Sequence, residues 1–223
     1  MKRTPTSNQF AYKSFYRRNL PHIQPVDTAL FLTFRLAGSL PEEVLARMSE
    51  ERRLMERTLK DSTVESESRF RQLARRHFAT LESWLDKAAS GPIWLGDQRV
   101  AAIVAEALQY RDSRSYRLDA YSIMPNHVHS VFAPLPQDNV PASLSSIMHS
   151  LKRNTARRAN QILNRSGTFW AHESFDHYIR NRAEMNRIVK YGLENPVKAG
   201  LVGSWQEWPW NYVRDSVAIP AAN

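Results

Sequence analysis

Apolar and polar residues alternate along the chain with two different periods, which separate strand segments from helix segments. Short runs of apolar residues bounded by turn residues predict β-strands, whereas apolar residues recurring every three or four positions predict amphipathic helices. The predicted strands are residues 29–36, 116–124, 127–133 and 174–180. The predicted helices are residues 99–109, 144–163 and 182–194, in addition to a helical hairpin within 41–90. Because only Pro125 and Asn126 separate the second strand from the third, we expect these two strands to be antiparallel neighbours.

The predicted helical hairpin, residues 41–90, differs from the rest of the chain in its charge. It begins at Pro41, breaks at Asp61–Thr63 and is ended by Gly91 and Pro92. It contains ten Lys or Arg and ten Asp or Glu, so the net charge of +9 comes entirely from the remaining residues. We therefore expect a structural or protein-facing role for the hairpin, rather than the main contact with a polyanion.

Length, charge and the absence of cysteine limit the classes of function. A chain of 223 residues is long enough for one domain with an insertion. Without cysteine, disulfide scaffolds and thiolate metal sites are excluded, and a reducing cytoplasm is expected. No run approaches 18 apolar residues, so a soluble intracellular protein is expected. An isoelectric point near 10.0 favours a polyanionic partner, either nucleic acid or an anionic membrane surface.

Two segments carry the excess of positive charge. The N-terminal arm, residues 1–25, has no acidic residue and interleaves aromatic residues with Lys and Arg, a combination that grips single-stranded nucleic acid. The alternative for the arm is a basic tail without defined structure. Helix 144–163 also lacks acidic residues, and its basic side chains predict contact with phosphates, the alternative being a solvated helix face. These basic residues are Lys152, Arg153, Arg157 and Arg158.

The stretch MPNHVHSVF is the feature most specific to a particular chemistry. In it His127 and His129 flank Val128, and a strand over residues 127–133 would place both imidazoles on one face, about 6.6 Å apart along the backbone. Two imidazoles so placed can bind one metal ion. The alternative is that two histidines lie on a half-polar strand face without a ligand. The other histidines are expected to be ordinary core or surface residues: His22, His77, His149, His172 and His177.

Helix 182–194 supplies residues that fit the histidine pair. Tyr191 and Asn195 are four residues apart, so they share one side of a helix. Two histidines and an amide oxygen form a neutral ligand set, which leaves a divalent cation its full charge for a phosphodiester. A Tyr191 phenolate beside this cation would attack the phosphorus and keep the phosphoester energy in a phosphotyrosine, which favours strand transfer over hydrolysis.

The motif MPNHVHSVF, followed by RIVKYGLENPVKAGLV and then WPW, resembles the HUH single-tyrosine transposases, and within them the REP-associated tyrosine transposases. The resemblance extends over residues 16–212, except for 41–90, which is longer than the usual first helix of the family. It implies an α+β sandwich with a ferredoxin-like antiparallel sheet and the HUH motif on a central strand. The chain accordingly divides into the arm, one catalytic domain over residues 26–215 with the helical insertion, and a tail over 216–223.

The resemblance also implies a set of roles at the site. By position, the metal ligands of the family match His127, His129 and Asn195, and the nucleophile matches Tyr191. The implied cofactor is Mg²⁺ or Mn²⁺, and the implied reaction is cleavage of single-stranded DNA through a 5′-phosphotyrosine.

The implied partner is single-stranded DNA with hairpins of the REP or BIME type. In the family an N-terminal Tyr-Arg-Arg segment reads the foot of the hairpin, and Tyr16, Arg17 and Arg18 match it, although the residues that follow depart from the glycine-rich spacing of the family. The resemblance implies a monomer or homodimer in the bacterial cytoplasm, associated with the nucleoid and not with a membrane.

Two other functions fit part of the sequence. One is a DNA-binding regulator that recognises hairpins without transposing them. The other is a histidine-dependent phosphohydrolase, although such sites need further histidines or carboxylates near the pair, and none flank His127 and His129 in the sequence.

Overall fold

The computed structural model of the chain describes the backbone of residues 16–18, 20–22, 28–59, 64–87, 91–137, 140–141 and 143–217. Its elements in chain order are β1 (Tyr16–Arg18), β2 (Leu20–His22), β3 (Leu30–Leu36), α1 (Glu42–Leu59), α2 (Val64–Lys87), α3 (Gln98–Tyr110), β4 (Tyr116–Ile123), β5 (His127–Pro134), β6 (Pro136–Gln137), β7 (Val140–Pro141), α4 (Leu144–Ile162), β8 (Trp170–Tyr178), α5 (Arg182–Leu193), α6 (Asn195–Lys198) and β9 (Asn211–Val213). Single turns of 3₁₀ helix lie at Trp94–Gly96 and Trp205–Glu207.

A five-stranded antiparallel sheet organises these elements, with the strand order β8-β3-β5-β4-β9. With α3 between β3 and β4, and α4 between β5 and β8, the chain forms the β-α-β-β-α-β unit of a ferredoxin-like fold. The predicted α+β class is therefore confirmed, and the two histidines lie on the central strand of the sheet. The short strand β9 has no counterpart among the predicted strands, because three residues are too few to show a period.

Most predicted elements end within one or two residues of the observed bounds, and two of the differences have a clear physical reason. Strand β8 begins at Trp170, four residues before the predicted start, because it continues to pair with β3 beyond an irregularity in the register. Helix α5 ends at Leu193, whereas we expected it to reach Glu194 and to be closed by Asn195 and Pro196. Instead Asn195 opens the short helix α6, whose first turn accommodates Pro196 because the proline nitrogen needs no hydrogen-bond acceptor there.

The two faces of the sheet bury different sets of side chains, because neighbouring residues of a strand point to opposite sides. Helices α3 and α4 cover one face, which includes Phe34, Val128 and Phe132. Helix α5 covers the other face, which includes Phe31 and Val131. The odd-numbered residues of β5 point to this second face, so both histidines of the motif face α5.

The predicted helical hairpin is confirmed as α1 and α2, and its two ends meet. Gly38 precedes the hairpin and Gly91 follows it, and both have a positive φ, which glycine adopts without strain. A Cβ added to Gly91 would lie 2.0 Å from the carbonyl oxygen of Gly38, so only glycine allows this approach. Leu81 and Leu85 of α2 join a buried cluster close to the sheet. The hairpin therefore leaves the sheet and returns to it at one point.

Some predicted features lie largely outside the described residues. Of the arm, residues 1–25, only the backbones of β1 and β2 are described, and of the tail, residues 216–223, only residues 216–217. None of the described helices is both long enough and apolar enough to cross a membrane.

Candidate active site

His127 and His129 lie side by side in the interior of the protein. They are 0% and 1% exposed, and their Nε2 atoms are 3.0 Å apart. The register of the sheet sets Thr33 of β3 opposite His129, and the turn at Pro125 and Asn126 leads directly into His127. The alternation expected from the sequence thus brings both imidazoles to one point on the face covered by α5.

The tautomer of His127 follows from the hydrogen bonds of Asn126. The Asn126 side chain donates through Nδ2 to the carbonyl oxygen of Leu85, at 3.0 Å, so its Oδ1 is an acceptor. That oxygen lies 2.7 Å from Nδ1 of His127, which must therefore carry a proton. In the neutral ring Nε2 then has a free lone pair, which points toward His129.

Thr33 fixes the tautomer of His129 in the same way. Its hydroxyl donates to Oε1 of Glu82, at 3.4 Å, and lies 2.9 Å from Nδ1 of His129. Since the single hydroxyl proton is directed at Glu82, Nδ1 of His129 donates to Thr33 and Nε2 keeps its lone pair. Two Nε2 lone pairs that face each other at 3.0 Å repel unless a cation lies between them, and such a pair is therefore suited to bind a metal ion.

Asn195 comes from the start of α6 and adds a third potential ligand. It is 0% exposed, and its Nδ2 lies 2.6 Å from Nε2 of His129. Within the part of the chain that the structure describes, its Oδ1 has no hydrogen-bond partner. Rotation of the amide by 180° would place this oxygen beside the imidazoles, so the donor set fits a divalent cation.

Tyr191 faces the histidine pair, as the spacing on α5 predicts. Its ring centroid lies 5.9 Å from that of His129, and its hydroxyl donates to Oε2 of Glu82 at 2.5 Å. Gly192 of α5 also faces the sheet, and a Cβ added there would lie 3.7 Å from Cβ of His129, an ordinary van der Waals contact. On the outer side, Nζ of Lys198 lies 4.2 Å from the centroid of the Tyr191 ring.

Two carboxylates that we did not predict from the sequence complete the site. Glu82 and Asp86 come from α2, in the helical hairpin, and each offers an oxygen within 4.8 Å of the histidine nitrogens and of the other carboxylate. Oε2 of Glu82 lies 3.2 Å from Nε2 of His129. No carboxylate flanks His127 and His129 in the sequence, but the fold brings these two from a distant helix, and the four side chains together could hold a metal ion. Glu82 and Asp86 are four residues apart beside the apolar stripe of α2, a spacing that places them on one face but does not by itself mark a pair of ligands.

The charges of the site follow from burial and from these contacts. Burial and the neighbouring His129 lower the pKa of His127 to about 3, so its ring is neutral and able to bind a metal at pH 7. Burial and the charge of Glu82 raise the pKa of Asp86. Burial alone would raise the pKa of Glu82 too, but its contacts with His129 and Tyr191 outweigh burial and lower that pKa. Burial and the Glu82 carboxylate raise the pKa of Tyr191, so an ionised carboxylate faces a protonated phenol.

The basic residues of α4 occupy three different environments. Lys152 donates to three backbone carbonyls of β8, at 2.8, 3.2 and 3.2 Å. Arg158 pairs with Glu106 of α3. Arg153 and Arg157 are exposed and remain available to a polyanion. The side chains of the predicted hairpin-reading residues, Tyr16, Arg17 and Arg18, lie outside the described part of the chain, although β1 gives their backbone.

Comparison with known proteins agrees with the motifs. Residues 96–192 match the family model described as "Transposase IS200 like". REP-associated tyrosine transposase of Escherichia coli (strain K12) is 26% identical over 111 residues, which cover 50% of this chain and 62% of that protein. The predicted resemblance to this group of transposases is thereby confirmed. The matched segment contains β5 and Tyr191, begins after Glu82 and Asp86, and ends before Asn195.

A solved structure entitled "Structure of the REP associates tyrosine transposase bound to a REP hairpin" is also similar. It shares 18% sequence identity and a TM-score of 0.48 with this chain, over 89% of this chain and 81% of the other.

Proposed function

We propose that this chain, whose residues 96–192 match the IS200-like transposases, is a divalent-metal-dependent endonuclease and strand transferase for single-stranded DNA. It cleaves at or near hairpins of the REP type through a 5′-phosphotyrosine at Tyr191. One observation carries the proposal: Oη of Tyr191 and Nε2 of His129 contact the same oxygen of Glu82, at 2.5 and 3.2 Å. A nucleophile and a metal-binding pair are thus held at one point of the sheet.

His127, His129 and Asn195 hold the cation, which we propose to be Mg²⁺ or Mn²⁺. Their roles are supported by the two lone pairs that face each other and by the buried Oδ1 of Asn195 without a partner. When bound, the cation supplies Lewis-acid stabilisation for a phosphodiester in the site. The hydrogen bonds of Asn126 and Thr33 keep both rings in the tautomer that this binding requires.

Tyr191 is the nucleophile. Its Oη forms a bond to phosphorus while the bond from phosphorus to the 3′ oxygen of the neighbouring nucleotide breaks, and the phenol proton ends on the departing 3′ hydroxyl. The 5′ phosphate stays on Tyr191, so the energy of the phosphoester is retained. Attack by a second 3′ hydroxyl on this phosphotyrosine restores a DNA strand without a further energy source, which is strand transfer.

Contact with the DNA backbone is assigned to the exposed residues Arg153 and Arg157, and recognition of the hairpin foot to Tyr16, Arg17 and Arg18. The relative from Escherichia coli and the structure bound to a REP hairpin carry REP in their names, which motivates the choice of hairpin substrate. The charge of +9 supports a polyanionic partner of this kind.

The test is incubation with a 3′-labelled single-stranded hairpin oligonucleotide and Mn²⁺ or Mg²⁺, followed by denaturing electrophoresis. We expect the label to migrate with the protein, to require the metal, and to be absent from Tyr191→Phe. Tyr110→Phe, at a tyrosine that is 61% exposed, is the matched control and should react as the wild type does. If the protein binds the DNA hairpin but does not cleave it with any of the metals, the proposed enzymatic activity is refuted and a DNA-binding regulator is favoured.

Glu82 and Asp86 favour one alternative, a metal-dependent phosphohydrolase, because they provide the carboxylates that such a site needs. A hydrolase uses water as its nucleophile and does not need Tyr191. Cleavage by Tyr191→Phe to products with free 5′ phosphates, at the wild-type rate, would establish hydrolysis in place of strand transfer.

A further inference from the structure

The helical hairpin α1–α2 brings a carboxylate to the centre of the site, although it lies outside the segment that matches the transposase family. We propose that Glu82 is a ligand of the same divalent cation and also holds the nucleophile, an inference that rests on the proposed function. The helical hairpin is then part of the catalytic site. Asp86 is the second carboxylate of this assembly. The inference rests on the position of the two oxygens of Glu82 and on how α2 is held against the sheet.

Each oxygen of Glu82 has a distinct set of contacts. Oε2 lies 2.5 Å from Oη of Tyr191 and 3.2 Å from Nε2 of His129. Oε1 accepts from the hydroxyl of Thr33, which in turn accepts from Nδ1 of His129. One carboxylate thus contacts both the nucleophile and a metal-binding imidazole, which is the arrangement expected of a catalytic ligand. Oε2 is also the atom through which the phenol proton leaves Tyr191 as the bond to phosphorus forms.

The charge of the cluster favours a cation. Glu82 is 4% exposed, and a buried carboxylate is unfavourable unless it is paired. A carboxylate oxygen of Asp86 lies within 4.8 Å of one of Glu82, and Oδ1 of Asp86 has no hydrogen-bond partner within the described residues. A divalent cation bound between these oxygens would supply that pairing. Carboxylate oxygens also favour the hard cations Mg²⁺ and Mn²⁺ more than a purely imidazole and amide set does.

Helix α2 is held in place by contacts on both sides of Glu82. Toward its start, Phe78 stacks on Phe175 of β8 with ring centroids 4.6 Å apart. Toward its end, the carbonyl of Leu85 accepts from Asn126, the residue that orients His127. Residues 78, 82, 85 and 86 share one face of the helix, so the same face that packs also presents the carboxylates. Movement of α2 would therefore disturb the tautomer of His127 together with the ligand.

The experiment measures Mn²⁺ binding by isothermal titration calorimetry on the full chain, without DNA. Glu82→Gln keeps the shape of the side chain and an oxygen that accepts from Tyr191, but removes the charge. We expect its Kd for Mn²⁺ to rise at least about tenfold. Glu43→Gln is the matched control, because it makes the same change at an exposed position of the same hairpin, and its Kd should equal that of the wild type.

A wild-type Kd for Glu82→Gln would overturn the inference, even if the protein forms the DNA adduct. Conversely, a tenfold loss of Mn²⁺ affinity in a protein that never forms the adduct would support the ligand role of Glu82 and refute only the proposed function. If Glu82→Gln does not fold, Glu82→Asp keeps the charge but shortens the reach by one methylene. Its affinity for Mn²⁺ should fall as well, and an unchanged affinity would again overturn the inference.

Discussion

Replacing Thr33 by valine tests whether a single hydroxyl sets the metal-binding form of His129. Valine has nearly the shape of threonine and suits a β-strand, so β3 and its packing should persist. The substitution removes the oxygen that lies 2.9 Å from Nδ1 of His129 and 3.4 Å from Oε1 of Glu82. His129 then loses the acceptor that keeps its proton on Nδ1, and the ring is free to place the proton on Nε2, where it blocks the lone pair.

The magnitude follows from the burial of these groups. Thr33 is 2% exposed and His129 is 1% exposed, so water does not replace the lost partner. A buried donor without an acceptor costs about 1–3 kcal/mol. Loss of an outer partner of a ligating histidine lowers metal affinity by about 10- to 100-fold, or about 1.4–2.8 kcal/mol. We expect Thr33→Val to lose Mn²⁺ affinity in this range.

Calorimetric titration with Mn²⁺ measures the effect, and Thr33→Ser is the control. Serine keeps the hydroxyl and loses only a methyl group, so it should lower the free energy of unfolding by about 1 kcal/mol while it retains the affinity for Mn²⁺. Equal affinity of Thr33→Val and the wild type would refute the assignment of the tautomer. Equal losses in both variants would attribute the effect to packing instead of to the hydroxyl.

The remaining predictions concern the proposed DNA contacts of α4 and the framework around the site. Changing Arg153 and Arg157 together to Gln should flatten the slope of log K against log salt by about 1.4 for a single strand, and an unchanged slope would remove these residues from the interface. Lys152→Met should lower the free energy of unfolding by about 2 kcal/mol in urea titrations, since it removes the donors to three carbonyls of β8. A variant of unchanged stability that binds DNA weakly would instead assign Lys152 to the proposed DNA contacts. Gly91→Ala should lower the free energy of unfolding by at least about 1–2 kcal/mol in the same assay, because φ is +79° and a Cβ would lie 2.0 Å from a carbonyl oxygen. An unchanged free energy of unfolding would show that the two ends of the helical hairpin are free to separate.

Local patterns account for the parts of the fold and site that could be predicted. Alternation along β5 sets both histidines on one face, and the spacing of Tyr191 and Asn195 keeps them on one side of the chain as it passes the sheet. Each of these relations depends on fewer than ten consecutive residues, so periodicity is sufficient to identify it. The chemistry of the side chains suggested that the two segments share one site, and the family resemblance supplied the DNA substrate. Spacing alone does not say which helix packs on which strand.

Glu82 and Asp86 could not be identified in the same way. They are two of the ten acidic residues of a helical hairpin that contains as many basic residues, so the composition of the hairpin does not distinguish them. Their proposed role depends on the contact of α2 with a strand about 45 residues further along the chain. Similarly, the sequence marks Lys152 as one of four basic residues of α4, but only the packing against β8 directs its amine to backbone carbonyls.

The most direct test of the central claim is to identify the residue that becomes attached to DNA. The wild-type protein is incubated with Mn²⁺ and a single-stranded hairpin oligonucleotide, digested with trypsin and nuclease, and its peptides are analysed by mass spectrometry. We predict a nucleotide attached through a 5′ phosphate to the peptide that contains Tyr191, with a free 3′ hydroxyl on the released fragment. Cleaved DNA without any modified peptide, or a nucleotide attached to another residue, would contradict the account.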